Sequence, residues 1–304
     1  MGVETRSKKV MFIVNKFAGT GYQPAVEGKM IEVSERHDVE CTIEFTRSPG
    51  HATELAQAAV KEHFDAVVAV GGDGTINEVA RGLVRSSVPM GIIPRGSGNG
   101  LSRHLGIPLK LHDAINAVFR SSPVAVDTFT VNDKLSLNVS GIGFDGHIAN
   151  LFGGKTKRGL TGYTKLTISE FLQFKEFDAS VLVDGNPVDA HAFIIAVANS
   201  SQYGNNARIA PAASVCDGLL HLNIIRKVPM YRLDVVYAVF AGNIERSSFC
   251  QIVAGQKITI KTTKPIAYHV DGEPCGHHDN FQITINPSSL KVLVPDQSPR
   301  KHKI

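Results

Sequence analysis

Apolar runs alternate with helix-like stretches along the chain up to about residue 125. The runs have the length of buried strands, and apolar residues recur between them at helical spacing. Ser48 is expected to cap one of the helices, with Pro49 at its first position. The repeated units predict a parallel sheet covered on both faces, with ligands at the carboxyl ends of its strands. The predicted strands are 10–14, 41–45, 64–70 and 90–93, and the predicted helices are 23–36, 48–62, 75–85, 100–105 and 111–120.

Strand-like alternation of apolar and polar residues dominates from about Val124 onward. Asp184-Gly185-Asn186-Pro187 has the composition of a turn between two strands. Helical stretches at 162–175 and 231–241 interrupt the pattern, which is typical of a mostly antiparallel β domain. The predicted strands of this half are 124–131, 134–142, 179–183, 192–198, 219–225, 256–262, 265–270 and 281–285.

The change of pattern divides the chain into two predicted domains. We predict an N-terminal α/β domain with a parallel sheet over residues 1–125. A mainly antiparallel β-sandwich domain is predicted over residues 126–286. The sequence leaves open whether the C-terminal tail, about 287–304, returns to the first domain.

A glycine-rich segment follows the apolar run at 64–70 and reads Gly71-Gly72-Asp73-Gly74-Thr75. Glycines let the backbone approach a bulky anion, and the next helix would direct free N–H groups and its positive end at the same place. The pattern therefore predicts a phosphate-binding loop. A carboxylate beside phosphates makes sense mainly with a divalent cation or a hydroxyl nucleophile between them. Asp73 therefore favours nucleotide-dependent phosphoryl transfer.

A second glycine-rich loop, residues 94–100, follows the next strand and adds Arg95 and Ser97. Arg95 could pair with a phosphate oxygen, and Ser97 could donate a hydrogen bond to one. A single loop of this kind is equally well a tight connection between strand and helix. Two on consecutive strands favour a shared nucleotide site. A third loop, residues 15–21, follows the first strand on the same edge and is weak evidence alone.

Two acidic turns in the second half are further candidates. Glu273, in Asp271-Gly272-Glu273, could be a general base that accepts the proton of an attacking hydroxyl group. The same tripeptide is a common hairpin turn, and the sequence does not decide between the two. Asp217-Gly218 is equally ambiguous between a turn and part of a cation site.

The formal net charge of +4 is modest for 304 residues, and much of the excess lies in clusters at Lys8-Lys9, 155–158 and 300–303. Nucleic-acid binders usually have a dense basic face, so we expect no nucleic-acid partner. A small basic patch is instead compatible with an anionic membrane. The four cysteines form no CxxC pair and are expected to be reduced thiols.

The first nine residues are polar and lack the apolar region of a signal peptide. No run approaches the ~20 apolar residues that a membrane span needs. We therefore expect a cytoplasmic protein, which must contact the membrane peripherally if its substrate is a lipid. The oligomeric state stays open, a homodimer included.

Taken in this order, the motifs resemble those of the diacylglycerol kinase catalytic-domain superfamily, which includes soluble bacterial lipid kinases and the sphingoid-base and ceramide kinases. The resemblance covers nearly the whole chain. It implies an ATP- and Mg²⁺-dependent lipid kinase with a nucleotide-binding first domain and a lipid-substrate second domain. The acceptor would be a lipid such as diacylglycerol or a sphingoid base. The matching segments are 15–19, Thr46 with 50–52, 71–78, 94–105, 141–145, 211–220 and 271–273.

The resemblance also implies roles for individual residues. Asp73 would organise magnesium and phosphate, and Glu273 would deprotonate the lipid hydroxyl group. Asp217, with the backbone at Ser214 and Leu219, would form a structural magnesium site. The expected nucleotide-binding residues are Asn15, Lys16, Phe17, Ala18, Gly19, Thr46, Gly71, Gly72, Asp73, Gly74, Thr75, Ile76, Asn77, Glu78, Arg95, Gly96, Ser97, Gly98 and Asn99.

Two departures from the family pattern stand out. Lys16 stands where the family often has a proline, which would alter the first loop. The loop Gly96-Ser97-Gly98-Asn99-Gly100-Leu101 is closer to the sphingoid-base kinases than to the Gly-Thr-x-Asn-Asp of diacylglycerol kinases, which favours a sphingoid base as acceptor. Apolar residues between Leu166 and Phe177 would contact the acyl chain or form ordinary core.

Two other functions remain open at this point. A soluble kinase of the NAD kinase type also uses Gly-Gly-Asp-Gly-Thr and a similar pair of domains. A non-catalytic sensor of lipid or nucleotide would keep the scaffold without transferring phosphate, although both Asp73 and Glu273 are present.

Overall fold

The computed structural model describes residues 7–19, 25–152 and 160–296, and the chain divides into two compact units. The first unit runs to Val126 and resumes at Ser288, and the second is Asp127–Pro287. Two strands, β5 (Ser121–Val131) and β14 (Glu273–Pro295), therefore begin in one unit and end in the other.

The first unit is an α/β structure with a parallel sheet. The strand order is β14–β4–β3–β1–β2, and each of these pairs is parallel. β3 and β4 are buried along their whole length, which explains why the sequence shows continuous apolar runs there. The elements are β1 Lys8–Val14, α1 Ala25–Arg36, β2 Val39–Phe45, α2 His51–Lys61, β3 Ala66–Gly71, α3 Asp73–Leu83, β4 Met90–Pro94, α4 Gly100–His104 and α5 Leu111–Val118.

Apolar side chains between the sheet and its helices form the core of the first unit. Phe12 and Val68 from the sheet, Met30 from α1 and Ile115 from α5 belong to one buried cluster, and all four are fully buried. Burial of a side chain of this size contributes roughly 1.5–3 kcal/mol. The cluster holds the strands in register and thereby sets where their carboxyl ends lie.

The second unit is mainly antiparallel. Its strand order is β12–β11–β10–β7–β13–β14, with β8 and β9 continuing from β13 and β6 paired to β5. Inward-facing residues at alternate positions of these strands form its core, which includes Phe129, Ile195 and Phe281. The predicted fold class, α/β followed by mainly antiparallel β, is confirmed. The remaining elements are β6 Lys134–Ser136, β7 Val139–Gly143, α6 Phe144–Phe152, α7 Leu160–Gln173, β8 Phe177–Val183, β9 Asn186–Ala192, β10 Ile194–Ala198, β11 Leu220–Ile225, α8 Leu233–Ala241, β12 Cys250–Gly255 and β13 Lys257–Val270.

The helix cap predicted at Ser48 is wrong. α2 begins at His51, and its N-cap residue is Gly50, whose φ of +86° lies in the left-handed region. This conformation, which glycine adopts without steric cost, separates the preceding turn from the helix. Ser48 takes part through its carbonyl oxygen, which accepts a hydrogen bond from the His51 N–H group at 3.2 Å.

The strand predicted at 134–142 is in fact two strands, β6 and β7. At the break, the N–H groups of Leu137 and Asn138 donate to the Asp271 carboxylate at 2.8 and 3.0 Å. The Ser136 hydroxyl group donates to the same carboxylate at 2.6 Å. Because Asp271 is more than 130 residues away in sequence, no local pattern could have predicted the break.

Three elements were missed by the sequence analysis: α6, β9 and β12. The helix α6 carried a usable signal, because Phe144, Ile148 and Phe152 recur at intervals of four residues. The predicted strands 256–262 and 265–270 are one strand, β13, whose pairing with β14 shifts register between Lys261 and Ile266. No helix in the described part of the chain is both long and apolar enough to cross a membrane.

Gly82 lies where α3 packs against α2. A Cβ atom at this position would come 2.6 Å from the Ala56 Cβ and 2.7 Å from the Thr53 carbonyl oxygen. Neither neighbour is the end of a flexible side chain, so Gly82→Ala should push the helices apart. We expect it to lower the free energy of unfolding by about 1–3 kcal/mol, measured by urea denaturation.

Gly28→Ala is the matched control, because Gly28 is exposed on α1 and an added Cβ would have nothing within 4 Å. Here the change should raise the free energy of unfolding by about 0.5–1 kcal/mol, since alanine favours the helix. The two substitutions should therefore have opposite signs. Destabilisation by both, or by neither, would contradict the packing described for Gly82.

Candidate active site

Four strands of the first unit end at one edge of its parallel sheet, and a predicted binding residue follows each of them. Asn15 comes after β1, Thr46 after β2, Gly72 after β3 and Arg95 after β4. Because the strands are adjacent and parallel, these loops lie side by side. The sheet therefore brings together residues that the sequence separates widely.

Asn15 fixes the first of these loops to the start of α3. Its backbone N–H donates to the Val70 carbonyl oxygen at 3.0 Å, and its Nδ2 donates to the Thr75 Oγ1 at 3.0 Å. Its Oδ1 accepts a hydrogen bond from the Phe17 N–H at 2.9 Å. Asn15 thus acts as a positioning residue whose side chain is engaged on both sides.

The loops after β3 and β4 are in backbone contact. A Cβ atom at Gly96 would come 2.8 Å from the Gly72 Cα. The Arg95 N–H donates to the Gly71 carbonyl oxygen at 2.7 Å. The first loop joins them at Gly19, which has φ +69° and whose added Cβ would overlap the Arg95 carbonyl oxygen. Glycine is required at these contacts because any side chain would separate the loops.

The Asp73 carboxylate joins the start of α3 to the start of α4. Its two oxygens accept hydrogen bonds from the N–H groups of Asn99 at 3.0 Å and Gly100 at 3.1 Å. The Asn99 side chain closes its own loop, because Oδ1 accepts from the Gly96 N–H and Nδ2 donates to the Gly96 carbonyl oxygen. This positioning role of Asp73 was missed by the sequence analysis.

The start of α3 is the part of the site suited to phosphate. α3 begins at Asp73, two residues earlier than predicted, so Asp73 and Gly74 belong to its first turn. The Ile76 N–H donates to the Gly72 carbonyl oxygen at 3.0 Å, and the N–H groups before it lie in the first turn, where no helical acceptor exists. Together with the helix dipole they make an anion-binding terminus.

The side chains of several predicted binding residues are buried or contact other elements. Ile76 and Asn77 are 1 and 3 % exposed, so their side chains pack inside the unit. The Glu78 carboxylate accepts a hydrogen bond from the Ala52 N–H at 3.3 Å, at the start of α2. On the first loop, Lys16 Nζ lies 3.7 Å from the centre of the Phe45 ring, whereas the Phe17 side chain is 85 % exposed.

The remaining predicted binding residues lie on the loops themselves. Ala18 is partly buried, and its N–H donates to the Asn15 carbonyl oxygen at 3.3 Å. Thr46 follows β2, and its N–H donates to the Val14 carbonyl oxygen at 3.0 Å. Ser97 is exposed, and the Gly98 carbonyl oxygen accepts a hydrogen bond from Arg103 Nε at 3.2 Å.

Asp271-Gly272 is a two-residue hairpin turn in the second unit, so the turn interpretation is correct. Both residues have positive φ, 49° and 87°, as a tight hairpin between twisted strands requires. Glu273 is the first residue of β14, pairs with Val270 and is exposed. A turn and a general base are compatible, because the turn sets the direction of the Glu273 side chain.

A buried network behind this turn was missed by the sequence analysis. The Asp145 Oδ2 accepts a hydrogen bond from the Tyr203 hydroxyl group at 2.8 Å and lies 3.3 Å from the His269 Nε2. The His269 Nδ1 accepts from the Gly272 N–H at 3.1 Å, which assigns the ring proton to Nε2, facing Asp145. The network therefore runs from Asp145 to the residue before Glu273.

Tyr203 stays protonated in this network. Burial raises the pKa of the Tyr203 hydroxyl group well above its usual value, and the negative charge of Asp145 raises it further.

Gly141 is the sequence feature that belongs to this network, because a Cβ atom at this position would overlap the Asp145 carboxylate. The sequence alone does not reveal this role, since glycines before an aspartate have no single meaning.

The predicted metal-binding residues form a turn before β11. The Ser214 Oγ accepts from the Cys216 N–H at 3.2 Å, and the exposed Asp217 accepts from the Leu219 N–H at 3.0 Å. Among the described residues, no group of three or more His, Cys, Asp or Glu side chains could hold a metal ion. A carboxylate with backbone oxygens nevertheless has the oxygen-ligand chemistry that Mg²⁺ prefers.

No disulfide bond joins the cysteines in the described part of the chain. Burial, with the nearby charges of Asp127 and Asp217, raises the pKa of Cys216 to about 11. Burial, with the charge of Glu245, raises that of Cys250 to about 12. Thiols with such pKa values stay protonated near neutral pH and are poor nucleophiles.

Phe171 in α7 and Phe174 just after it pack against other aromatic rings of the second unit. Each ring lies 5.7 Å from that of Phe144, and both pack on Phe193. Both side chains are partly buried, and a contact of this segment with an acyl chain stays a prediction. The basic residues Lys155, Lys157 and Arg158, and those at 300–303, lie outside the described residues.

Comparison with known proteins identifies two matching family models. The diacylglycerol kinase catalytic domain matches residues 9–131, and the YegS C-terminal NAD kinase beta sandwich-like domain matches residues 139–294. A "Probable lipid kinase YegS-like" of Chromohalobacter salexigens is 27 % identical over 84 % of each chain. The protein of that name from Klebsiella pneumoniae is 28 % identical over 86 % of this chain and 88 % of its own.

A solved structure shows the same fold. A diacylglycerol kinase from Bacillus anthracis superposes with a TM-score of 0.76 at 22 % identity, over 97 % of this chain and all of its own. Together with the model for a β-sandwich-like C-terminal domain, this match confirms the predicted fold class. The two family models confirm the resemblance found in the sequence.

The hydrogen bonds of Asp73 predict an effect on stability in the absence of any ligand. Asp73→Asn would replace one acceptor oxygen by an NH₂ group that faces a backbone N–H. We expect the free energy of unfolding to fall by about 1.5–3 kcal/mol in metal-free buffer without nucleotide. Asp189→Asn, at an exposed position of β9, is the control and should change it by less than about 0.5 kcal/mol.

An unchanged stability of Asp73→Asn under these conditions would mean that Asp73 does not hold α4 against α3. A residue that served only to organise a cation would give that result. Urea denaturation of the two variants, followed by circular dichroism, separates the two outcomes.

Proposed function

The chain belongs to the diacylglycerol kinase catalytic-domain family of lipid kinases, and we propose that it transfers the γ-phosphoryl group of ATP to a hydroxyl group of a membrane lipid. The observation that carries the proposal is the contact of three loop backbones around the start of α3. Backbone N–H groups at a helix start can bind a triphosphate, and close backbone approach leaves no side chains in the way.

We assign the ATP phosphates to the first turn of α3 and the loops after β1 and β4. Arg95 would pair with a phosphate oxygen, and the exposed Ser97 would donate a hydrogen bond to one. Asn15 and Asp73 would keep these loops in place, which is the role that their hydrogen bonds support. Because phosphoryl transfer depends mainly on positioning and electrostatics, such rigid loops would contribute directly to the rate.

Mg²⁺ would accompany ATP and offset the negative charge on the transferred phosphoryl group. Asp73 is the carboxylate of the glycine loop and is our candidate for orienting that ion, in addition to its contacts with α4. A second, structural Mg²⁺ is proposed at Asp217, with backbone oxygens at Ser214 and Leu219. The oxygen chemistry of that turn supports the assignment.

Glu273 is the proposed general base, which would accept the proton of the lipid hydroxyl group. Its exposed carboxylate follows directly on a hairpin turn that is held from two sides. Asp271 accepts three hydrogen bonds from the segment 136–138, and the Gly272 N–H donates to His269. A base on a rigid turn loses little entropy when it meets its substrate.

The names of the relatives and one loop of the chain indicate the acceptor. The relatives are named lipid kinases, and the loop at 96–101 is closer in sequence to the sphingoid-base kinases, which favours a sphingoid base over diacylglycerol. A lipid acceptor also implies peripheral contact with a membrane.

A panel of acceptors tests the proposal. Purified protein, Mg²⁺ and γ-labelled ATP would be incubated with diacylglycerol, sphingoid bases, ceramide, phosphatidylglycerol and NAD in turn. We expect label in one lipid. Glu273→Gln should lower kcat for that lipid by about 10²-fold or more, as loss of a general base typically does. The matched control is Glu35→Gln on the exposed side of α1, which should leave kcat unchanged.

Other results would replace the proposal with one of the alternatives. Transfer of label to NAD alone would indicate a kinase of the NAD kinase type. Binding of ATP without transfer to any acceptor would indicate a non-catalytic sensor. Full activity of a folded Glu273→Gln variant would remove Glu273 from the role of base.

A further inference from the structure

The second unit exposes large apolar side chains around α8. Met230 and Tyr231 precede the helix and are 56 and 81 % exposed, and Tyr237 and Phe240 on the helix are 73 and 54 % exposed. We call these four residues the α8 surface. Val235, on the opposite side of the helix, is 4 % exposed and anchors it to the unit. Isolated exposed apolar residues are ordinary, but four large ones within eleven residues, on a helix and in the segment just before it, mark an interaction surface.

The end of α7 is tied to the segment that leads to α8. The Lys227 Nζ donates to the carbonyl oxygens of Leu172 at 3.1 Å and Phe174 at 2.6 Å, and Lys227 lies three residues before Met230. Leu172 is itself 59 % exposed, and Ile168, one turn earlier, is 45 % exposed. The second unit therefore exposes further apolar side chains on α7.

Cationic side chains accompany the apolar ones. Residues 226–248 contain four arginines and lysines but two carboxylates. One of these carboxylates, Asp234, already pairs with Arg232 at 2.8 Å. The guanidinium groups of Arg226 and Arg232 lie 5.9 and 5.1 Å from the centre of the Phe249 ring, so both sit beside aromatic surface. The segment 226–248, which contains the α8 surface, therefore has a net positive charge.

We propose that the α8 surface docks the protein onto an anionic lipid bilayer, with its aromatic side chains inserted among the head groups. The proposal rests on the proposed function, because it names the membrane contact that a kinase of bilayer lipids needs. Tyrosine and phenylalanine rings are favoured at the membrane interface, and nearby cations add attraction to anionic head groups.

A second copy of the chain is the competing occupant of this surface. In a two-fold dimer the same patch would face itself, so the excess positive charge of each copy would oppose that of the other. An anionic bilayer instead complements both the charge and the apolar side chains. The charge pattern therefore favours the bilayer.

Vesicle flotation tests the docking surface. The full chain would be mixed with vesicles of equal parts phosphatidylcholine and phosphatidylglycerol. We expect binding that weakens at high salt. The double variant Tyr237→Ser/Phe240→Ser should lower the partition coefficient at least about tenfold, because two side chains no longer enter the interface. Leu182→Ser, at a position 40 % exposed on β8, is the matched control and should bind as the parent does.

Equal vesicle binding by the double variant and the parent, or equal loss in the double variant and the control, would overturn the docking surface. Failure of the parent protein to bind these vesicles would also overturn it. The same holds if the parent is a dimer in sedimentation velocity and the double variant is a monomer that binds vesicles as the parent does. Circular dichroism of each variant excludes misfolding as the cause.

The kinase panel separates this inference from the proposed function. If the parent protein phosphorylates no acceptor but the double variant loses vesicle binding, the docking surface is supported and the kinase activity is rejected. Phosphorylation of a vesicle lipid at the parent rate by the double variant would support the kinase and reject docking. If both proposals hold, the double variant should lose activity on vesicle lipid but keep it on a short-chain, monomeric acceptor.

Discussion

Two glycine backbones in contact, at Gly72 and Gly96, are the constraint on which the candidate site depends. Neighbouring strands lie about 4.8 Å apart, so loops that leave β3 and β4 together have room for side chains only if they diverge. These loops do not diverge, because Gly96 has no Cβ to meet the Gly72 Cα. The approach lets the Asp73 carboxylate reach the start of α4, and it brings the backbone of the loop after β4 close to the start of α3.

Aspartates that accept backbone N–H groups recur at the junctions of this structure. Asp73 holds α4, Asp271 holds the break between β6 and β7, and Asp184 accepts from the N–H groups of Gln256 and Lys257. Hydrogen bonds to a charged group contribute about 1.5–3 kcal/mol, more than those between neutral groups. An aspartate in a glycine-rich turn can therefore stabilise the structure through its backbone contacts. Glu273, two residues after Asp271, differs from it because its side chain is exposed.

Apolar residues on different helices of the second unit differ in their exposure to solvent. Phe171 and Phe174 of the segment 166–177, for which the sequence left open a contact with lipid, are partly buried against Phe144. Tyr237 and Phe240, in a helix that the sequence did predict, are exposed. Helical periodicity shows that a helix has apolar residues but not which of its faces meets the rest of the protein. That choice depends on partners far away in sequence.

The sequence alone determined the two fold classes, the glycine loops and the family, because each is written in local spacing: strand–helix alternation, glycines after a strand, and a fixed order of motifs. Only the tertiary structure decided what the side chains of those motifs contact. Asp73 bonds to α4, Glu78 to α2, and Asp145 to Tyr203 and His269. The contacts to α2, Tyr203 and His269 join residues brought together only when the sheets form, and even the short step from Asp73 to α4 depends on β3 and β4 lying side by side.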